Sequence, residues 1–399
     1  MNLIDPIVQV QTDMRAIRRD LHAHPELRFE EQRTADVVAR CLEQWGIPTA
    51  RGLGGTGVVG SVAGRAPGRS IGLRADMDAL PVHEINTFAH RSRHEGRMHA
   101  CGHDGHTAML LAAARHIAQH RNFDGTVHLI FQPAEEGGAG AKRMIDDGLF
   151  SRFPCDAVFG MHNWPGMPAG QIGVRSGPLM ASSNEFDIVV HGRGSHAALP
   201  HLGIDPIIVA THLVQAFQTI VSRNKKPTDA AVLSVTQINA GEATNVIADT
   251  AHIAGTVRTF TLEVLDLMEN AMRRIVDTLP AAFCARADMQ FHRNYPPTIN
   301  HEAEANFAAC VADDVVGFEN VARDIEPVMG AEDFSFMLLE RPGAYLFIGN
   351  GEGGHRDQGH GAGPCTLHNP SYDFNDDLIP IGASYWVRLA ERYLAQGAG

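Results

Sequence analysis

Apolar residues at Ile4, Ile7, Val10, Met14, Ile17 and Leu21 recur at spacings of three and four, which is one face of a helix ended by His24-Pro25-Glu26. The same period predicts a second helix over 29–45, with Val38, Leu42 and Trp45 inward and Gly46-Ile47-Pro48 as its stop. Then the pattern changes. Runs at 57–63 and 70–74 read as strands, followed by a helix over 104–120, a strand over 126–131, a helix over 139–147 and a strand over 156–161. Strands alternating with helices predict an α/β fold, a mainly parallel sheet covered by helices.

From Asn184 the order becomes β-α-β-β-α-β, with strands at 185–191, 231–238, 251–259 and 287–292 and helices at 204–221 and 262–279. That order is a ferredoxin-like α+β unit, and Tyr295-Pro296-Pro297 reads as the return linker. Helices at 303–311 and 333–339, a strand at 344–348 and a helix at 380–394 resume the α/β pattern. The expected organisation is a catalytic domain in two pieces, 1–183 and 296–399, carrying an inserted lid domain, 184–295. The stretch 349–363, rich in Gly and His, reads as a mobile or ligand-wrapped loop.

Composition narrows the function. The 399 residues carry 46 acidic and 33 basic side chains, a formal charge of −13, which disfavours phosphate backbones and anionic lipid. No nucleic-acid or membrane partner is expected. No apolar run approaches a membrane span, and Asp5, Asp13 and Asp20 interrupt the N-terminal region where a signal peptide would be apolar, so a cytoplasmic protein is expected. Six cysteines without a CxxC pair read as reduced thiols.

The polar clusters share one address. Asp76 and Asp78, Glu135 and Glu136, His162, and His368 all follow predicted strands, and open α/β sheets bind ligands outside the carboxyl ends of their strands. His99-Ala-Cys101-Gly-His103-Asp-Gly-His106 precedes a helix, and a thiolate and an imidazole two residues apart are ligands for zinc and neighbouring transition metals. Alone, this is as well read as a buried structural cluster, and His162 alone as a satisfied core histidine. Glu135-Glu136 is costly to desolvate without a cation, since two adjacent carboxylates repel. With a dication, one carboxylate is a ligand and the other a general base. Cys365, three residues before His368, offers a competing ligand pair.

Leu73-Arg-Ala-Asp-Met-Asp-Ala-Leu-Pro81, Met98-His-Ala-Cys-Gly-His-Asp-Gly-His106 and Phe131-Gln-Pro-Ala-Glu-Glu-Gly137 resemble motifs of one family. Gly160-Met-His-Asn163, Gly194-Ser-His-Ala197 and Leu367-His-Asn-Pro370 extend the likeness over essentially the whole chain. It is similar to the hippurate hydrolase and N-acyl-amino-acid amidohydrolase branch of the aminoacylase and carboxypeptidase-type dinuclear metallohydrolases. The resemblance implies metal-dependent hydrolysis of N-acyl amino acids, with indole-acetyl-amino acid hydrolase or dipeptidase as alternatives. It implies two divalent ions per subunit (zinc first; manganese, nickel or cobalt also) bridged by Cys101. Glu136 and His368 would hold one ion, His103 and His162 the other. Glu135 matches the base, and Asp78 a carboxylate that orients a ligand. Asp76 is not counted as a ligand, because in this branch Asp76-Met77-Asp78 replaces the wider family's His-x-Asp motif and Cys101 replaces its bridging aspartate. His196 matches an oxyanion donor, Asn245 and Arg258 match substrate-binding positions, and a homodimer or dimer-based tetramer through the lid is implied. Two readings from other classes stay open: a non-catalytic acyl-amino-acid or metal-binding protein, and an amidase using Cys101 as nucleophile.

Overall fold

A computed structural model describes residues 1–356 and 358–395. The chain forms two compact units: Met1–Gly177 with Ile299–Glu326 and Asp333–Gly399, and Pro178–Thr298 with Pro327–Glu332.

The first unit is built on an eight-stranded sheet in the order Thr49–Leu53, Gly57–Ala63, Thr126–Gln132, Ser70–Asp76, Ala157–Pro165, Gly343–Gly351, Ile172–Val174, Val321–Arg323. The four central strands, from Thr126–Gln132 to Gly343–Gly351, run parallel. They are buried almost end to end, as strands covered on both faces must be. Gly57–Ala63 runs antiparallel to both of its neighbours, and Ile172–Val174 antiparallel to Gly343–Gly351. The sheet is therefore mixed, with the expected parallel core and antiparallel flanks.

Three of the flanking strands had no sequence signal. Thr49–Leu53 is a half-exposed polar strand with a bulge after Arg51, and Ile172–Val174 and Val321–Arg323 are too short to show a period. The expected first helix is two, Asp5–Gln9 and Gln11–Ala23. The break at Val10 frees the first turn to follow the C-terminal helix, Leu378–Ala395, where the Ile4 amide donates to Ser384 Oγ at 3.1 Å. The helix His103–Gln119 is buried nearly all round, including the run from Leu110 to Ala114. It packs against Gln11–Ala23 and Leu378–Ala395, and each buried leucine there is worth roughly 1.5–3 kcal/mol of removed apolar surface.

The second unit is an antiparallel sheet in the order Ala231–Ala240, Thr250–Thr259, Ser183–His191, Arg286–Tyr295, with the helices Pro206–Thr219 and Leu262–Thr278. The first and third strands of the β-α-β-β-α-β order lie at the centre, which is the ferredoxin-like arrangement. Alternating burial along Thr250–Thr259 supplies Ala251, Ile253 and Val257 to a core with Phe186, Leu213, Phe217 and Met268. Asp205 and Thr261 cap the two helices by accepting the amides of Ile207 and Val264. Pro327–Glu332, assigned to the catalytic part from sequence, belongs to this unit, because the Ala181 amide donates to the carbonyls of Val328 and Gly330. Among the described residues no helix is long and apolar enough to cross a membrane.

Candidate metal centre

The parallel strands bring the polar clusters to one edge of the first unit. Ser70–Asp76 leads to Asp78, Thr126–Gln132 leads to Glu135 and Glu136, and Gly343–Gly351 precedes the loop carrying His368. His162 differs from expectation. Its strand continues to Pro165, so His162 sits inside the strand opposite Phe347.

Cys101 is held in place through its neighbour Gly102. That glycine, at φ +91°, opens the helix His103–Gln119, and a Cβ there would fall 2.3 Å from Asn163 Nδ2 and 2.4 Å from the Tyr372 hydroxyl. Only glycine fits both the backbone angle and the space. Asn163 Nδ2 donates to the Cys101 carbonyl at 2.7 Å, and the Tyr372 hydroxyl donates to Asn163 Oδ1 at 2.7 Å.

Among the potential donor atoms, three overlapping sets lie each within 4.8 Å and share Cys101, His103 or Glu136: Cys101, His103 and His162; Cys101, Glu136 and His368; and His103, Glu135 and Glu136. Cys101 Sγ lies 3.3 Å from His162 Nε2, and His368 Nε2 lies 3.2 Å from Glu136 Oε1. The His162 Nδ1 proton goes to the Asn163 carbonyl at 2.6 Å, which leaves the Nε2 lone pair facing the sulfur. Asp78 serves two neighbours. Its Oδ1 lies 3.3 Å from His103 Nδ1, and its two oxygens accept the amides of Glu135 and Glu136 at 3.0 and 2.9 Å.

Asp76, His103 and His106 form another such set, but Asp76 and His106 are already engaged with other partners. Asp76 accepts from Arg74 Nη1 at 2.7 Å and from His106 Nδ1 at 2.6 Å, and His106 Nε2 accepts the Asn163 amide at 3.0 Å. Cys365 is buried in the core with its sulfur 3.4 Å from the Asp373 carbonyl, and it joins none of these sets.

The electrostatics ask for positive charge. Burial, with the charges of Glu136, Glu135 and Asp76, pushes the Cys101 thiol well up. A neutral thiol among carboxylates is a poor nucleophile, which argues against the Cys-amidase reading. Burial pulls His103 down, but Asp76 and Asp78 outweigh it and hold the imidazole at about 10. Burial and His106 hold His162 well down, so it is a neutral lone-pair donor. The contact with Glu136 raises His368. Both His103 ring nitrogens and Glu136 Oε1 are buried without an aligned hydrogen bond. Such atoms are costly to leave unsatisfied. A thiolate, imidazoles and carboxylates around orphaned buried donors fit divalent transition-metal ions.

In the second unit His196 is exposed, and its Nδ1 accepts the Ala198 amide at 3.0 Å, which leaves Nε2 as the ring nitrogen free to donate. His196 pairs with Val246, and the neighbouring Asn245 carbonyl accepts the Ala197 amide. Arg258 is half-buried on Thr250–Thr259 and forms no hydrogen bond or ion pair among the described residues; burial lowers its guanidinium. Sequence reasoning assigned no part to His106, Asn163 or Tyr372. The available signal was a polar Asn inside a strand that otherwise reads as apolar core.

Residues 72–392 match the model of the peptidase family M20/M25/M40. The chain is 41% identical over 394 residues to a hippurate hydrolase of Campylobacter jejuni, covering 99% of this chain and 100% of that one. It is also 41% identical over 372 residues to an N-acetyl-L-cysteine deacetylase of Bacillus subtilis, covering 93% and 85%. A crystal structure of a Bacillus subtilis dinuclear metal binding peptidase from the M20 family superposes with a TM-score of 0.83 at 34% identity, covering 97% of this chain and 99% of that one. With this fold and this cluster of donors, the chain belongs to peptidase family M20/M25/M40.

Proposed function

We propose that this protein hydrolyses the amide bond of N-acyl amino acids such as N-benzoylglycine, releasing a carboxylate and an amino acid. The observation that carries the reading is the overlap of the donor sets at Cys101 and Glu136, with Glu135 beside them. Cys101, Glu136 and His368 would hold one divalent ion, and Cys101, His103 and His162 the other, zinc first and manganese, nickel or cobalt as alternatives. Bound there, the ions would polarise the scissile carbonyl and acidify water.

The chain supplies the rest. Glu135 takes the proton of the attacking water and delivers it to the departing amine nitrogen. His196 Nε2–H donates to the carbonyl oxygen as it becomes an oxyanion, one such donor being worth about 3–4 kcal/mol. Arg258, a half-buried cation that feels the charge of Glu185 but forms no hydrogen bond or ion pair among the described residues, is the proposed ligand for the substrate carboxylate, with Asn245 beside His196 as a second polar contact. Asp78 holds His103 and the Glu135-Glu136 amides in place. The working form is proposed to be a cytoplasmic homodimer formed through the second unit. Indole-acetyl-amino acids and dipeptides are the alternative substrates.

Glu135→Gln removes the proton carrier and leaves the proposed ligands. It is expected to keep metal content and fold while kcat on N-benzoylglycine falls by roughly 10²–10⁴. Turnover within a factor of about three of wild type would remove Glu135 from the role.

A further inference from the structure

The segment between the first two long helices, residues 24–31, holds none of the proposed metal ligands, yet it grips the loops that do. The Glu26 carbonyl accepts the amide of Ala79, next to Asp78, at 2.8 Å, and Arg28 Nη1 donates to the Glu136 carbonyl at 3.1 Å. The strongest contact is made by Glu31. Fully buried, it accepts the Ala134 amide on Oε1 at 2.8 Å and the Thr56 hydroxyl on Oε2 at 2.6 Å. Asp78 takes the next two amides, those of Glu135 and Glu136. Three successive N–H groups thus end on two buried carboxylates from different parts of the chain.

The backbone they hold is strained. Ala134 and Ala139 sit at φ +53° and Phe29 at φ +64°, left-handed conformations that side chains other than glycine rarely adopt. Such strain persists only where the surroundings over-determine it. A capping duty does not explain Glu31. It precedes the helix Gln32–Gln44, but its side chain caps none of that helix's amides and turns to Thr56 and Ala134 instead. Burial pushes its carboxyl up to about 7, so keeping an acid there has a cost in stability.

We infer that Glu31 is a positioning residue: through the Ala134 amide it sets the direction in which Glu135 presents its carboxylate. The inference rests on the reading of Glu135 as the proton carrier. Glu31→Ala removes the hold. Glu31→Gln keeps an oxygen for Ala134 and offers an N–H to the Thr56 hydroxyl oxygen. Glu31→Asp is too short to span both partners.

The metal-loaded variants are assayed for kcat, KM and metal content on N-benzoylglycine, and the metal-free ones for amide exchange at Ala134. Misplacing a reacting group by about 1 Å costs on the order of 10²-fold. Glu31→Ala is expected to lower kcat at least about tenfold with KM within about threefold, metal content unchanged and the Ala134 amide exchanging faster. Glu31→Gln is expected to restore kcat to within about threefold and to restore protection. If Glu31→Ala does not fold, Glu31→Asp carries the test and must lower kcat with KM and metal content held. Unchanged kcat in the folded Ala or Asp variant, no rescue by Gln, or loss of metal together with kcat would overturn the inference. Active Glu135→Gln protein with Ala134 protection still dependent on Glu31 would locate the failure in the role of Glu135 instead.

Discussion

Asn163 lies in a strand of apolar core, and its polar atoms serve both the sulfur loop and a histidine behind it. Its side chain binds the Cys101 carbonyl and the Tyr372 hydroxyl, and its amide occupies His106 Nε2. That last bond keeps His106 from acting as a ligand and leaves the choice of donors to Cys101, His103 and His162. The space next to Gly102 is closed by the same Asn163 and Tyr372. Gly102→Ala must therefore move one of them and adopt a left-handed backbone that costs about 1–2 kcal/mol by itself. The variant should lose about 2 kcal/mol or more in urea unfolding and bind metal more weakly. Unchanged stability and metal affinity would show that the loop has slack the packing denies. Cys101, His103, Glu135 and Glu136 were legible as candidates because chemistry and spacing coincide in short stretches. The holders Asn163, Tyr372 and Glu31 were not, because their partners lie between 25 and 209 positions away in sequence.

Helices and strands were legible where the period was long enough to count. The strands at the sheet centre and both helices of the second unit follow their apolar patterns, while the three-residue strands and the break at Val10 depend on tertiary partners. One signal was present but unread. Arg18 falls on the apolar face of Gln11–Ala23, four residues from Met14 and three from Leu21, where a charge needs a reason. The reason is a buried network. Arg18 Nε lies 3.0 Å from Asp104 Oδ2 in the first turn of His103–Gln119, Nη2 bonds Asp373, and His22 Nδ1 meets Asp104 at 2.8 Å. Burial works against the Arg18 charge, but Asp373 and Asp104 more than restore it. The network ties the first long helix to the helix that begins at His103. Arg18→Met leaves Asp104 and Asp373 buried with less compensation and should destabilise by about 3–5 kcal/mol. A loss below about 1 kcal/mol by denaturant unfolding would mean that the carboxylates find other partners or take up protons.

At the scale of the whole molecule, buried neutral histidines set how stability responds to acid. Burial holds His128, on Thr126–Gln132 beside Ser61, down at about 4. The unfolded chain has its histidine near 6.5, so between about 6.5 and 4 the unfolded state binds more protons and gains on the folded one. The stability present above about pH 6.5 is lost as pH falls to about 4, at most ~3 kcal/mol from this residue. Unfolding free energy measured from pH 8 to 4 should show the decline, and His128→Gln should flatten it; identical slopes would remove His128 from the account. The proposed reaction draws first on the donor sets and the proton carrier of the first unit. All of it requires that the cluster around Cys101 binds cations.

Calorimetric titration of the metal-free protein with zinc or manganese, wild type beside Cys101→Ala, tests that requirement directly. Two equivalents bound by the wild type, with a clear loss of affinity or stoichiometry in the variant, is the predicted result. No binding in the wild type, or an identical isotherm in both proteins, would contradict the account.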